Sequence, residues 1–412
     1  MNRASVWLVL AAGAGILLGL AIAWDTPPPR APPRALPPNT STYNDTLSML
    51  MVRNEEAVVG RVIRSLVAHV GPRIFLCDTG SNDSTLERAR AALPDVVIHE
   101  LREPFAHFEQ ARNACKRALQ QWEQMTRGPY GGRIEWVALP DADFEAGVME
   151  DRSVAEPRIP RPPPDYDVNT IQIYATAAGA PHNSLHLLMR ARVYFEHCRY
   201  RLWTHEYLDC DPRDALTYGY YNGFHFLDHA DGSARPGKLQ RDIGLLRAWL
   251  REVNETDLRP RALYYLGRAY EDNGQPGLAL TMYERHNAEP GAHTNYAFYA
   301  RYREALIRLS LWNRACDADA LACGLETLAP VEAAFMRAYE SYDGYFRREP
   351  LYWLALTYRR LGHYARCLLW ASAALSLPPL DHRRIPLFLE PALHGEALRA
   401  EYDYCAQQLR AP

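Results

Sequence analysis

The first folded stretch of the chain alternates short apolar runs with amphipathic ones. Leu47 to Val52 is apolar and stops at Arg53-Asn54-Glu55-Glu56; Val58, Val59, Val62, Ile63 and Leu66 then recur at helical spacing. Arg73 to Cys77 repeats the strand pattern and ends in Asp78-Thr79-Gly80-Ser81-Asn82-Asp83-Ser84-Thr85, where Gly80 supplies a turn and Asp83 or Ser84 can cap a following helix. Val96 to Ile98 reads as a third strand, Phe108 to Trp122 as a helix, and Ile134 to Leu139 as a fourth strand. Val168 to Tyr174 and Leu185 to Arg190 predict two more strands. Strands alternating with helices at this spacing predict an α/β domain with a mostly parallel sheet and right-handed crossovers.

The pattern changes after residue 240. Ala262 to Tyr270, with Gly274, Ala279 and Tyr283, sets small residues among large ones as in a tetratricopeptide repeat, and the set recurs at Leu351 to Tyr358 with Gly362, Cys367, Ala371 and Ala374. Gly267 and Ala355 are 88 residues apart, two periods of 34 plus about twenty. The spacing predicts a degenerate middle repeat (Tyr296 to Leu311, Val331 to Tyr342) with an insertion carrying Cys316 and Cys323. Such helix pairs bury a continuous core and present a concave groove for an acceptor or a protein partner, or else simply brace the first domain.

Upstream of both lies Ala4 to Trp24, 21 residues without a charge and mostly apolar, long enough to span a bilayer. It reads as a signal anchor, with a cleaved signal peptide as the competing reading because Ala21-Ile22-Ala23 fits a small-x-small cleavage site. Residues 25–44 follow as a stiff stalk, seven of the thirteen positions from Thr26 to Pro38 being proline. The expected layout is an anchor over 4–24, a stalk over 25–44, an α/β domain over 45–235 and a helical repeat domain over 240–412. The expected location is a single-pass membrane protein of type II, catalytic part luminal, in the Golgi or endoplasmic reticulum if the host is eukaryotic.

Composition narrows the partners. With 46 basic and 49 acidic residues the net charge is −3, so there is no polycationic face for nucleic acid. The 25 Tyr and 9 Trp suit repeat packing and carbohydrate contacts equally. Among eight cysteines, Cys198 with Cys210 or Cys316 with Cys323 could form disulfides, buried free thiols being the alternative.

The chemistry centres on Ile134-Glu-Trp-Val-Ala-Leu-Pro-Asp-Ala-Asp-Phe-Glu145. The predicted strand delivers Asp141 and Asp143 beyond its carboxyl end, where open α/β sheets bind ligands. Two carboxylates at i and i+2 suit a hard divalent cation together with a ribose hydroxyl; the competing reading is a solvated turn.

In order along the chain, Ser48 to Glu56, Cys77 to Thr85, Ala111-Arg112-Asn113 and Asp141-Ala142-Asp143 resemble the successive motifs of family 2 glycosyltransferases with the GT-A fold. The resemblance is to the lipopolysaccharide-core-transferase-like branch that carries C-terminal tetratricopeptide repeats. It implies that Asp78 contacts nucleobase or ribose, that Arg53, Glu55, Arg112 and Asn113 serve the donor pocket, and that Asp141 touches ribose or metal. It implies too that Asp143 ligates Mn2+ or Mg2+. A helix-start ion pair is the alternative for Arg53 and Glu55.

Leu202-Trp-Thr-His-Glu-Tyr-Leu208 resembles the family's His-Glu segment. An inverting transferase needs one base for the acceptor hydroxyl, and Glu206 is the candidate; an ion pair with Arg199 or Arg201 is its alternative. In His225-Phe-Leu-Asp-His-Ala-Asp-Gly-Ser-Ala-Arg235 the resemblance places His229 on the metal, with His225 as substitute, and Arg235 suits phosphate. Pro157 to Pro164 reads as a loop that could order over bound donor. The expected function is metal-dependent transfer of a sugar from a nucleotide-diphosphate sugar to a glycan, glycolipid or protein acceptor. The alternative is a catalytically inactive, transferase-like repeat scaffold.

Overall fold

In the computed structural model the described residues are 45–126, 134–147, 165–175, 181–221, 223–232, 237–290, 292, 295–319, 323–341, 347–378, 390, 393 and 395–410. An α/β half precedes an all-helical half. The α/β half contains, in order, β1 (Thr46–Val52), α1 (Val59–His69), β2 (Arg73–Asp78), α2 (Thr85–Ala92), β3 (Val97–Glu100), α3 (Phe108–Met125), β4 (Trp136–Ala138) and β5 (Phe144–Gly147). It continues through β6 (Val168–Ala175), β7 (Pro181–Arg190), α4 (Ala191–His197), β8 (Cys198–Arg201), β9 (Tyr207–Cys210), β10 (Tyr218–Tyr220) and β11 (His225–Asp228).

Among the described residues nine strands form one sheet in the order β3-β2-β1-β4-β7-β6-β11-β5, with β10 beside β6. The first four are parallel, as the alternation predicts. Beyond them the sheet is mixed: β7 runs antiparallel to both β4 and β6. β8 and β9 make a separate antiparallel ribbon.

Strand β1 is apolar almost throughout because helices cover both faces of the sheet at this point. Side chains alternate across a strand. Leu50 and Val52 therefore meet Val62, Ile63 and Leu66 of α1, while Leu47 and Met49 meet Cys115 and Leu119 of α3 on the other face. Full burial of one such leucine contributes roughly 1.5–3 kcal/mol.

The helical half runs through α5 (Lys238–Glu252), α6 (Arg259–Asp272), α7 (Pro276–Ala288), α8 (Asn295–Ala318), α9 (Leu325–Tyr339), α10 (Glu349–Arg360), α11 (Tyr364–Ser376) and α12 (Glu396–Arg410). Helices α6/α7 and α10/α11 carry the two copies of the small-residue pattern, and α8/α9 lies between them where the spacing predicts a degenerate middle repeat. The turns inside the first and third pairs pass through Gly274 (φ 71°) and Gly362 (φ 75°), a left-handed conformation open to glycine at little cost. A side chain at Gly267 would bring its Cβ to 2.7 Å from the Tyr283 ring, so α6 and α7 touch at that point.

Four disulfides join Cys77–Cys115, Cys198–Cys210, Cys316–Cys323 and Cys367–Cys405, leaving no free cysteine. The two short-range pairs are those the sequence left open against buried free thiols, and the two long-range ones are additional.

The expectation of a single-pass membrane protein is corrected. Among the described residues no helix is long and apolar enough to cross a membrane. Residues 4–24, on which the anchor and its luminal orientation rested, lie outside the described residues, as do the stalk over 25–44, the proline loop over 157–164 and Arg235.

Candidate functional site

The carboxyl ends of β1, β2 and β4 open onto one edge of the sheet. From β1 the chain turns through Arg53 and Asn54 into α1, and from β2 it turns through residues 79–84 into α2. The two turns are laced together: Asn54 N–H donates to Ser81 Oγ (2.9 Å), Asn82 N–H to Asn54 Oδ1 (2.8 Å), Glu55 N–H to Thr85 Oγ1 (2.7 Å) and Glu56 N–H to Asp83 (3.3 Å). Asp78 is buried beneath this lacing. Its carboxylate accepts the backbone N–H groups of Gly80 (3.2 Å) and Ser81 (3.1 Å) and the Ser81 hydroxyl (2.5 Å), so it shapes the turn. The Arg53 guanidinium lies 5.6 Å from the centre of the Phe105 ring.

After β4, Asp141-Ala142-Asp143 forms a turn closed by Phe144 N–H on Asp141 O (3.1 Å), and the chain enters β5. Strand β5 pairs with β11, which sets Phe144 opposite Asp228 and carries residues 228–232 past Asp143. The approach is close: a Cβ on Gly232 would lie 2.9 Å from Asp143 Cβ and 3.1 Å from Glu55 Oε2. The pKa of Asp143 is raised by burial first, then by the charges of Asp141 and Asp228, against backbone N–H donors that include Gly232.

Arg112 reaches across from α3. Its Nη2 donates to Asp141 (2.5 Å) and its Nε to Glu206 (2.6 Å), the latter lying in the connection between β8 and β9. Burial alone would loosen the guanidinium proton, but Asp141, Glu206 and Tyr200 outweigh it and hold the pKa well above the arginine norm. One guanidinium thus joins three segments of the sequence. Neighbouring Asn113 turns both ends of its amide to the backbone of Tyr200 in β8, donating to its carbonyl (2.8 Å) and accepting its N–H (2.9 Å). Asn113 thereby pins the start of the Glu206 loop to α3.

His229 makes a 2.7 Å contact with Glu145 Oε2 through Nε2. Glu145 also lies 3.4 Å from Arg61 Nε, and Arg61 holds Asp231 through two 2.9 Å bonds. His225 packs over Gly147 and edge-on to Tyr174, ring centroids 5.0 Å apart. Arg61, Glu145 and Asp231 have no local signal in the sequence, since their partners lie 84 and 170 positions away.

For a hard cation the donor chemistry of Asp141 and Asp143 fits. Asp141 adds to the cost of ionising buried Asp143, and magnesium-like ions take one or two protein carboxylates and complete their shell with phosphate oxygens and water. Among the described residues no cluster of three or more His, Cys, Asp or Glu side chains is placed to hold a metal.

Four non-glycine residues among those described have left-handed backbones: Asn54, Leu202, His205 and Ala230. All four lie in the loops just described, beside Glu55, Glu206 and His229. Each such residue costs of order 1 kcal/mol and persists where its surroundings over-determine it.

No family model matches this chain, and no curated protein matches it either. Solved structures with similarity to it include Staphylococcus aureus TarS residues 1–349 (11% identity, 63% of this chain and 87% of that one, TM-score 0.33). Also similar are MamA from Desulfovibrio magneticus RS-1 (20%, 42% and 82%, 0.25) and glucosyl-3-phosphoglycerate synthase from Mycobacterium tuberculosis, solved with Mn2+, UDP-glucose and phosphoglyceric acid (13%, 56% and 80%, 0.28).

Proposed function

We propose that this protein transfers a sugar from a nucleotide-diphosphate sugar to an acceptor hydroxyl with inversion at the anomeric carbon. The observation that supports this best is the bridge Asp141–Arg112–Glu206, which gathers a donor-side carboxylate, a cation suited to phosphate and a candidate base at the sheet edge. Glu206 takes the proton of the acceptor hydroxyl. The acceptor oxygen then bonds to the anomeric carbon as the bond from that carbon to the diphosphate oxygen breaks, and the diphosphate leaves with the electron pair.

Arg112 places positive charge where negative charge develops. The laced turns around Asp78, with Arg53 and Glu55, form the wall for the nucleoside. Asp141 and Asp143 would hold Mn2+ or Mg2+, which when bound supplies charge neutralisation for the departing diphosphate. His229, on this reading, orders the 228–232 segment through Glu145. The acceptor is a glycan, a glycolipid or a protein, and the helical groove is a candidate partner surface.

A second reading draws on the same bridge: with Glu206 and Asp141 both held by Arg112, the site resembles a structural ion network, and the chain would be an inactive transferase-like scaffold. Thermal stabilisation by a panel of nucleoside diphosphates, with and without manganese, separates the two. Metal-dependent stabilisation by one nucleotide, lost in Asp143→Ala, is expected for the transferase. No stabilisation of well-folded protein by any nucleotide selects the scaffold.

A further inference from the structure

Glu206 stands at the end of a short connection whose every preceding residue is anchored. Arg201 binds Glu255 (2.9 Å) and Asp257 (2.7 Å) in the link between α5 and α6. Leu202 is fully buried in the core of the helical half rather than that of its own sheet. Trp203 stacks on His107 at 4.7 Å, and its carbonyl accepts Phe108 N–H (2.9 Å). Thr204 donates to buried Asp242 of α5 (3.2 Å). The carbonyl of His205 accepts two bonds from Arg261 of α6, through Nε (3.2 Å) and Nη2 (2.9 Å).

Arg261 is itself built in. Its guanidinium lies 4.8–5.2 Å from the ring centres of Tyr207, Tyr265 and Tyr296, and it bonds the Tyr296 hydroxyl. A planar fork that donates twice to one carbonyl while resting on aromatic faces fixes both position and orientation, which a flexible ammonium cannot. That carbonyl belongs to a residue at φ 53°, a conformation the loop would leave without external restraint.

From this arrangement we propose that Arg261 and Asp242 of the helical half are positioning residues of the active site. They hold the 202–205 connection, with its left-handed Leu202 and His205, in place and thereby aim Glu206 at the acceptor hydroxyl. The repeat domain on this account completes the catalytic machinery, a role beyond bracing or partner docking. The inference rests on the transferase reading for what Glu206 does, and on the contacts alone for what holds it.

The test uses the full chain with Arg261→Met, which keeps the stem and removes the donors, and Arg261→Lys, which restores one donor. Three quantities are measured: hydrogen exchange at residues 202–207 and in β1, stabilisation by nucleoside diphosphate with manganese, and release of nucleoside diphosphate from UDP-glucose, UDP-N-acetylglucosamine and GDP-mannose with water as acceptor. In Arg261→Met the loop amides should exchange at least tenfold faster while β1 stays protected and nucleotide stabilisation persists. Donor turnover should fall tenfold or more in kcat with donor KM unchanged, and Arg261→Lys should recover part of it. Loop exchange equal to wild type, or turnover equal to wild type in Arg261→Met, overturns the proposal. Wild-type protein that neither binds a nucleotide nor turns over a donor overturns the transferase reading itself, a failure visible before any variant is compared.

Discussion

The imidazole of His205 lies flat on the ring of Tyr265, centroids 4.1 Å apart and planes 5° apart, although the two residues belong to different halves of the chain. The imidazole pKa is pushed down to about 3, by burial first and then by Lys238, Arg261, Arg268 and Arg241. The ring therefore stays neutral on Tyr265 at ordinary pH. An offset aromatic stack is worth about 0.5–1.5 kcal/mol beyond its area. Tyr265→Leu should lower the unfolding free energy by about 1 kcal/mol in a urea titration, and by the same amount at pH 7 and pH 5.

His286 offers a sharper pH signature. It is fully buried in α7, with Nδ1 against Asn287 Oδ1 (3.1 Å). Burial, opposed by that hydrogen bond, pushes its pKa down to about 4 from the usual 6.5. The unfolded chain takes up a proton below pH 6.5 that the folded chain refuses until about 4, so this contribution is complete above 6.5 and is lost as pH falls toward 4. In His286→Gln the drop in unfolding free energy between pH 7 and pH 4 should shrink by about 3 kcal/mol relative to wild type. Parallel pH curves would contradict the assignment.

Arg347 is wholly buried, 4.2 Å from the centre of Phe298 and 4.6 Å from that of Tyr299, with Glu349 at 3.3 Å and the Tyr299 hydroxyl bonded to it. Removing one partner of a buried pair strands the other charge, at about 3–5 kcal/mol. Arg347→Ala should cost that much in calorimetry. The double change Arg347→Met with Glu349→Gln should cost clearly less than Arg347→Ala.

The Cys77–Cys115 disulfide closes a loop of 38 positions between β2 and α3, one residue before Asp78 and three after Arg112. Replacing both cysteines by alanine should lower stability by about 2–4 kcal/mol. The Cys367–Cys405 pair spans the same separation between α11 and α12, far along the chain from the sheet edge. Its replacement should cost a similar amount, and nucleotide stabilisation should respond to the first pair and not to the second.

The parallel part of the sheet was legible because its inner strands bury both faces, so Leu47 to Val52 and Arg73 to Cys77 stand out as apolar runs. The first helix pair was legible from Gly267, a small residue where Tyr283 packs against α6, and the third from the same mix of small and large residues at Leu351 to Tyr358. Strands β5, β8, β9, β10 and β11 were not separated out in advance. They are three or four residues long, and their pairing is decided by partners distant in sequence. The antiparallel run of β7 against β4 and β6 likewise follows from non-local pairing.

At the site, the Asp-x-Asp turn and the Glu206 segment were visible as residue types in order. The joining of Asp141 to Glu206 by Arg112 needed coordinates, as did the engagement of His229 by Glu145. For the same reason the long-range disulfides were invisible, since spacing alone cannot choose among eight cysteines.

The burial of Leu202 in the helical core bears on the order in which the molecule can be made. The ribosome releases the sheet first, and at that moment the loop bearing Glu206 has His107, Phe108 and Arg112 to settle on but not the helical core that takes Leu202. Leu202 remains a solvent-exposed apolar group until α5 and α6 emerge and fold against it. A polypeptide interrupted anywhere between Asp228 and Asp272 would leave Leu202 without its packing partners, an exposed apolar group on an otherwise finished sheet.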